Sequence, residues 1–173
     1  MATSRKADIG VVGLAVMGEN LILNMEGKGF TVACHNRTVE KVAAFVNGRG
    51  KGKKIIGCDS LASLCASLKR PRRVMIMVKA GRAVDAVIAE VLPFLAPGDI
   101  LIDGGNSHYP DTMRRARELA AKKIRYVGTG VSGGEEGALK GPAIMPGGDA
   151  TAWPHVREIL QAIAAKAADG SGG

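Results

Sequence analysis

Between Asp8 and Met25 the chain passes from a short apolar run through a glycine turn straight into a second apolar stretch, and few folds accommodate that order. Ile9 to Val12 is too continuously apolar for a half-exposed strand, so it reads as a strand buried on both faces. Gly13 and Gly18 bracket a turn, and Leu21, Ile22 and Met25 then recur at helical spacing. A strand, tight turn and helix in this order aim unpaired helix N–H groups and the positive end of the helix dipole at one point, where a pyrophosphate can sit. The generic dinucleotide fingerprint has glycine at its second position; Ala15 stands there instead. Glycine turns of this kind also occur without a ligand, so the next strand has to decide.

Thr31 to His35 reads as that second parallel strand, and its carboxyl end should carry the group that meets the adenosine ribose. A site for NAD would place Asp or Glu there, whereas the chain offers Asn36, Arg37 and Thr38 and no acid before Glu40. A guanidinium followed by a hydroxyl suits a 2′-phosphate, so the site reads as preferring NADP, with Arg37 as discriminator and Asn36 and Thr38 as neutral hydrogen-bonding neighbours. The competing reading makes Asn36 the cap of the following helix and Arg37 a solvated cation.

At 173 residues the chain suits one domain, residues 1–173, with flexible ends at about 1–6 and 169–173. Its 24 glycines and scarcity of aromatics fit small-residue packing of helices on a parallel sheet. No apolar run reaches membrane-spanning length and no leader-like segment precedes the first strand, so a cytoplasmic protein without membrane contact is expected. Cys34, Cys58 and Cys65 lack metal-site spacing and read as reduced and structural, with no metal expected. The net charge of +8 gathers at Arg49 to Lys54, Lys69 to Arg73, Arg114 to Arg117 and Lys122 to Arg125. That balance points to anionic partners, but aromatics are not interleaved with the cations, so no nucleic acid is expected, and most of these clusters read as solvated surface.

Strands and helices alternate through the rest. Helices are expected at Thr38 to Val46, Ser60 to Leu68 (capped by Asp59 or Ser60), Ala83 to Leu95, Asp111 to Lys122 and Trp153 to Ala168. Strands are expected at Ile55–Ile56, Arg73 to Val78, Ile100 to Ile102 and from Arg125 onward. The class is α/β, a doubly wound, mostly parallel sheet of Rossmann type, with ligands at the carboxyl ends of the strands. Three of those ends are unusual. Val78, Lys79, Ala80 and Gly81 supply small residues and a cation; Asp103 to Asn106 carries paired glycines and a carboxamide; Val131 to Gly137 presents a hydroxyl and successive N–H groups that suit a carboxylate or phosphate. Paired glycines are also plain turn formers. Glu135 and Glu136 read as helix-start residues that complement a dipole.

The ordered series Gly13 to Leu21, Asn36-Arg37-Thr38, Asp103 to Ser107, Val131 to Ala138 and Met145-Pro146-Gly147-Gly148 closely resembles 6-phosphogluconate dehydrogenase, decarboxylating, from Asp8 to about Gly170. Ala15 agrees with a form common in that family. The resemblance implies NADP-dependent oxidation of 6-phosphogluconate to ribulose 5-phosphate and CO2 in the pentose phosphate pathway. By position it implies that Gly13, Leu14, Ala15, Val16, Met17, Gly18, Asn36, Arg37, Thr38, Val78, Lys79 and Ala80 contact NADP. Asn106 would touch cofactor and substrate, and Ser132, Gly133 and Gly134 would hold the substrate.

The family continues into an all-helical domain that supplies the dimer interface, much of the phosphate site, a catalytic lysine and a glutamate acid. None of these matches a segment before Gly173, so the chain is expected to bind cofactor without catalytic residues of its own and to bare apolar surface near Trp153 to Ala168. His35, His108, His155, Lys79 and Lys140 match no such catalytic role. A β-hydroxyacid dehydrogenase of the 3-hydroxyisobutyrate type and a non-catalytic NADP-sensing module remain the competing readings. The Asp-Gly-Gly-Asn loop and the Glu135–Glu136 pair argue against the former.

Overall fold

A computed structural model describes residues 5–171. Seven strands form one sheet: β1 (Ile9–Val12), β2 (Val32–His35), β3 (Ile55–Gly57), β4 (Arg73–Ile76), β5 (Ile100–Asp103), β6 (Arg125–Ser132) and β7 (Ala143–Gly148). The order is β3-β2-β1-β4-β5-β6-β7. The first six run parallel, and β7 returns antiparallel on the outer edge of β6. Between them lie α1 (Val16–Gly27), α2 (Val39–Asn47), α3 (Leu61–Ala66), α4 (Arg82–Val91), α5 (Tyr109–Ala120) and α6 (Gly134–Lys140), with α7 (Trp153–Ile163) after β7.

Successive strand residues feed two separate apolar layers, as a pleated strand buried on both sides requires. Ile9 and Val11 of β1, Met75 of β4, and Ile100 and Ile102 of β5 meet Leu21, Ile22 and Met25 of α1 and Val156, Ile159 and Leu160 of α7. Val12, Val74, Ile76 and Leu101 face the other way, onto Leu64 of α3, Val84 and Ile88 of α4 and Leu119 of α5. The sheet is therefore doubly wound, and its order reverses between β1 and β4, where such sheets open a ligand crevice at their carboxyl ends.

Several boundaries differ from the sequence reading. β4 stops at Ile76, although Met77 N–H still donates to the Val12 carbonyl at 2.8 Å. Pro93 has no N–H to continue α4, and Leu92–Phe94 closes as one 3-10 turn. The last helix ends at Ile163 because Ala164 turns to extended backbone. β7 is an addition to the strands expected from sequence: its Pro146 and two glycines mask a strand, and an edge position tolerates them. Of the ends expected to be flexible, residues 1–4 and 172–173 lie outside the described residues. Asp169 closes a turn by accepting from Ser171 N–H at 2.9 Å.

Of the apolar surface expected near Trp153 to Ala168, Val156, Ile159, Leu160 and Ile163 contribute none because they are buried, whereas Trp153 itself is exposed. Exposed large apolar side chains are Met145 on β7, Trp153 at the first turn of α7, and Tyr109 and Met113 on α5, among others. Among the described residues no helix is long and apolar enough to cross a membrane, and no group of three His, Cys, Asp or Glu gathers.

Candidate functional site

The strand order sets the sequence-predicted residues side by side along one edge. The Asn36–Thr38 segment follows β2, the glycine turn follows β1, Val78–Ala80 follows β4, Asn106 follows β5 and Ser132–Gly134 ends β6, and these five strands are consecutive neighbours.

The turn after β1 has little steric freedom. Gly13 has φ +109°, and a Cβ there would lie 2.3 Å from the Met77 carbonyl oxygen; at Gly18 a Cβ would lie 2.1 Å from the Gly13 oxygen. Only glycine lets the turn fold back under the start of α1. Ala15 is the N-cap of α1 but supplies no side-chain cap, so the first-turn N–H groups lack intrahelical acceptors. Its exposed methyl does not disturb the turn. The N–H of Leu14 is already taken, donating at 2.9 Å to Asn36 Oδ1, while Asn36 Nδ2 donates to the Thr38 carbonyl at 3.1 Å. Asn36 thus caps no helix: it fastens the end of β2 to the glycine turn. Arg37, beside it, is exposed and makes no side-chain hydrogen bond or ion pair among the described residues. An open helix start next to an unengaged guanidinium fits the pyrophosphate and 2′-phosphate of NADP.

Asn106 has φ +54°, in the left-handed region that asparagine tolerates better than most side chains. Its Nδ2 donates to the Val131 carbonyl at 3.0 Å, and its Oδ1 accepts from the Val131 N–H at 2.8 Å. The carboxamide therefore clamps the β5 loop to the end of β6, leaving one further proton and lone pair for a ligand. Beyond it, Gly133 at φ +133° and Gly134 at φ +64° turn the chain into α6, and Glu135 and Glu136 occupy its first turn. A cleft of about 340 Å³ lies beside this edge, lined by Asn106, Ser107, Tyr109, Thr112 and Gly128 among others.

Residues that the sequence reading passed over hold this edge together. Arg115, 1% exposed, forks onto Asp85 (Nε–Oδ1 2.8 Å, Nη2–Oδ2 3.1 Å) and also donates to the Gly81 carbonyl, Ser107 Oγ and Asp103 Oδ2. Asp103 accepts in addition from the Tyr126 hydroxyl at 2.7 Å, from Ser107 Oγ at 2.5 Å and from the Gly105 N–H at 3.0 Å. The hydrogen bond from Arg115 is the main reason that the Asp85 carboxyl is held down at about 2, and burial is the main reason that the Tyr126 phenol is pushed up. The basic clusters are thus not merely solvated: Arg115 is buried, and Arg72 pairs with the buried Asp99 at 3.0 Å. One available signal was an acid closing the apolar strand Ile100–Ile102, with an arginine inside the helix that follows.

On the other side, Asn20 Nδ2 of α1 donates to the Glu135 carbonyl at 2.7 Å, and Asn24 Nδ2 donates to Ala138 and Ile163 carbonyls at 3.2 and 3.1 Å. The turn after β6 is therefore tied to the helix that starts at the glycine turn. Of the other ionisable candidates, His35 Nδ1 lies 3.0 Å from the Cys58 carbonyl, Lys140 pairs with Glu136, and His108 is exposed at the start of α5. Burial pushes the Cys34 thiol up to about 12, and all three cysteines are free and buried.

Residues 8–172 match the family described as the NAD binding domain of 6-phosphogluconate dehydrogenase. The chain is 64% identical over 168 residues to the decarboxylating 6-phosphogluconate dehydrogenase of Dictyostelium discoideum, a match that covers 97% of this chain and 34% of that protein. It therefore spans about a third of the length of the curated relatives it matches. Among solved structures, the Plasmodium falciparum 6-phosphogluconate dehydrogenase, studied apo, with its cofactor NADP+ and with its substrate 6-phosphogluconate, superposes with TM-score 0.88 at 41% identity, over 94% of this chain and 35% of that one. The 3-hydroxyisobutyrate dehydrogenase of Mycobacterium tuberculosis superposes at 0.78 over 92% of this chain and 52% of that one. At 22% identity it shares the fold alone.

Proposed function

The chain belongs to the family of the NAD binding domain of 6-phosphogluconate dehydrogenase, and from that membership we propose that it holds NADP for the oxidative decarboxylation of 6-phosphogluconate. The observation that carries the NADP preference is Arg37: an exposed cation without a partner among the described residues, anchored beside the glycine turn by the Asn36–Leu14 hydrogen bond.

In this reading the first-turn N–H groups of Val16, Met17 and Gly18 receive the pyrophosphate, with Gly13, Leu14 and Ala15 shaping the approach. Arg37 and the Thr38 hydroxyl receive the 2′-phosphate, and Asn36 keeps them in register with the turn. Val78, Lys79, Ala80 and Asn106 flank the rest of the cofactor. Ser132, Gly133 and Gly134 offer a hydroxyl and backbone N–H groups to the anionic groups of the substrate. Bound NADP supplies the hydride acceptor. The chain's own residues bind and orient the two reactants, and none of them is assigned the proton transfers.

The test is titration calorimetry of NADP and NAD with the wild-type chain and Arg37→Asp. Losing a charge-assisted contact is worth roughly 1.5–3 kcal/mol, so NADP affinity should fall ten- to about a hundredfold while NAD affinity holds or improves. An unchanged NADP/NAD ratio would show that the 2′-phosphate is read elsewhere.

A further inference from the structure

The loops after β4 and β5 are held by the same buried side chain. Gly81, the N-cap of α4 at φ +97°, presents its carbonyl to Arg115 Nη2 at 3.0 Å. Ser107, one residue past Asn106, presents its hydroxyl to Arg115 Nη1, also at 3.0 Å. The remaining donors of that guanidinium go to Asp85 on α4 and Asp103 at the end of β5. A planar fork of fixed shape thus sets the spacing of the two loops, and a lysine ammonium with three donors cannot reproduce five hydrogen bonds to four residues.

That spacing falls on one half of the ligand edge only. A dinucleotide on such a sheet lies across the point where the strand order reverses, here between β1 and β4. Its adenosine half belongs with the ends of β1 and β2, where Asn36 and Arg37 stand. Its other half runs toward the loops after β4 and β5, where Lys79, Ala80 and Asn106 stand. Arg115 is 1% exposed and buried below those loops, so it acts through them.

We propose that Arg115 is a positioning residue that fixes the β4 and β5 loops for the nicotinamide half of the dinucleotide and leaves the adenosine half untouched. The assignment rests on the NADP reading above. A buried, fully engaged guanidinium also contributes to folding, and removing it outright would strand Asp103. The two roles separate in which ligand feels the change.

The experiment measures binding of NADPH and of 2′,5′-ADP, which carries the adenosine half alone, to the wild-type chain, Arg115→Lys and Ser107→Ala. Circular dichroism and a thermal melt of each establish that it folds. In Arg115→Lys, NADPH affinity should fall about tenfold while 2′,5′-ADP affinity stays within about twofold of wild type. Ser107→Ala removes the hydroxyl that accepts from Arg115 and donates to Asp103, which keeps Arg115, Tyr126 and the Gly105 N–H, and should show the same split at about threefold. If Arg115→Lys fails to fold, the serine variant decides. Equal loss for both ligands, or no loss for either, overturns the assignment. A wild-type chain that binds neither ligand overturns the NADP reading and this assignment with it, whereas wild-type binding without the split overturns the assignment alone.

Discussion

Thr129 is the one buried side chain among the described residues whose polar atom has no hydrogen-bond partner. It sits on β6 between Val127 and Val131 in the alternation that faces the α1 and α7 layer, and it is 4% exposed. An unpaired buried hydroxyl has lost its water and gained nothing in return, so a valine of similar shape should be at least as stable. Thr129→Val is expected to raise stability by about 1 kcal/mol, seen as a higher urea midpoint at an unchanged slope. A lower midpoint would mean that the hydroxyl has a partner after all. The asparagines show the opposite case. Asn36 and Asn106 stood out in the sequence as ligand contacts, and the structure has each spend both ends of its carboxamide on backbone first. Residue type singles out both carboxamides, but which partner each takes depends on a strand that the sequence does not place beside it.

Among the elements, α1 has the largest role, because it opens at the glycine turn and carries two buried asparagines one turn apart. Asn20 and Asn24, each 5% exposed, face the same side and reach α6 and the end of α7. Periodicity made α1 legible through Leu21, Ile22 and Met25, and paired polar residues four apart in an apolar helix were a readable hint of a helix–helix hydrogen bond. Asn24→Ala leaves the Ala138 and Ile163 carbonyls without that donor. It should cost about 2 kcal/mol, or roughly 4–8 °C in thermal midpoint. An unchanged midpoint would show that the helices are held by apolar packing alone. β7 escaped reading for a different reason: its strand character comes from pairing with β6, from Val127–Gly148 to Ser132–Ala143, and not from its own residues. Pro146 and three exposed small residues carry no period that marks a strand.

For the molecule as a whole, the distribution of charge matters more than its sum. Several of the 24 Lys and Arg side chains are locally compensated, so the excess of +8 falls on the others: Arg49 pairs with Glu19, Lys53 with Glu26, Arg72 with Asp99, and both Arg114 and Arg115 with Asp85. The sequence shows clusters of cations but not which acids come to meet them, since Asp85 and Arg115 are thirty positions apart and join only when α4 and α5 pack on one face. Asp85 makes this compensation testable by pH. Its neighbours are Arg115, which gives the main hydrogen bond, and Arg114, itself shared with Asp111 and Glu118; Asp103 lies on the far side of Arg115. The folded carboxyl titrates at about 2, below the ordinary 3.8, so its contribution is complete above about pH 4 and disappears as pH falls toward 2. The side chain is 38% exposed, and solvent screening reduces the contribution to about 1 kcal/mol. Asp8 and Asp149 are also held low, so acid weakens the chain through several groups at once. The clean measurement is therefore the difference between wild type and Asp85→Asn in urea unfolding at pH 6, 4 and 2.5. That gap should be constant from pH 6 to 4 and narrow by pH 2.5, because protonation then gives the wild-type carboxyl the neutrality that the amide already has. A gap that stays constant down to pH 2.5 would mean that the folded carboxyl is not held down by its arginines.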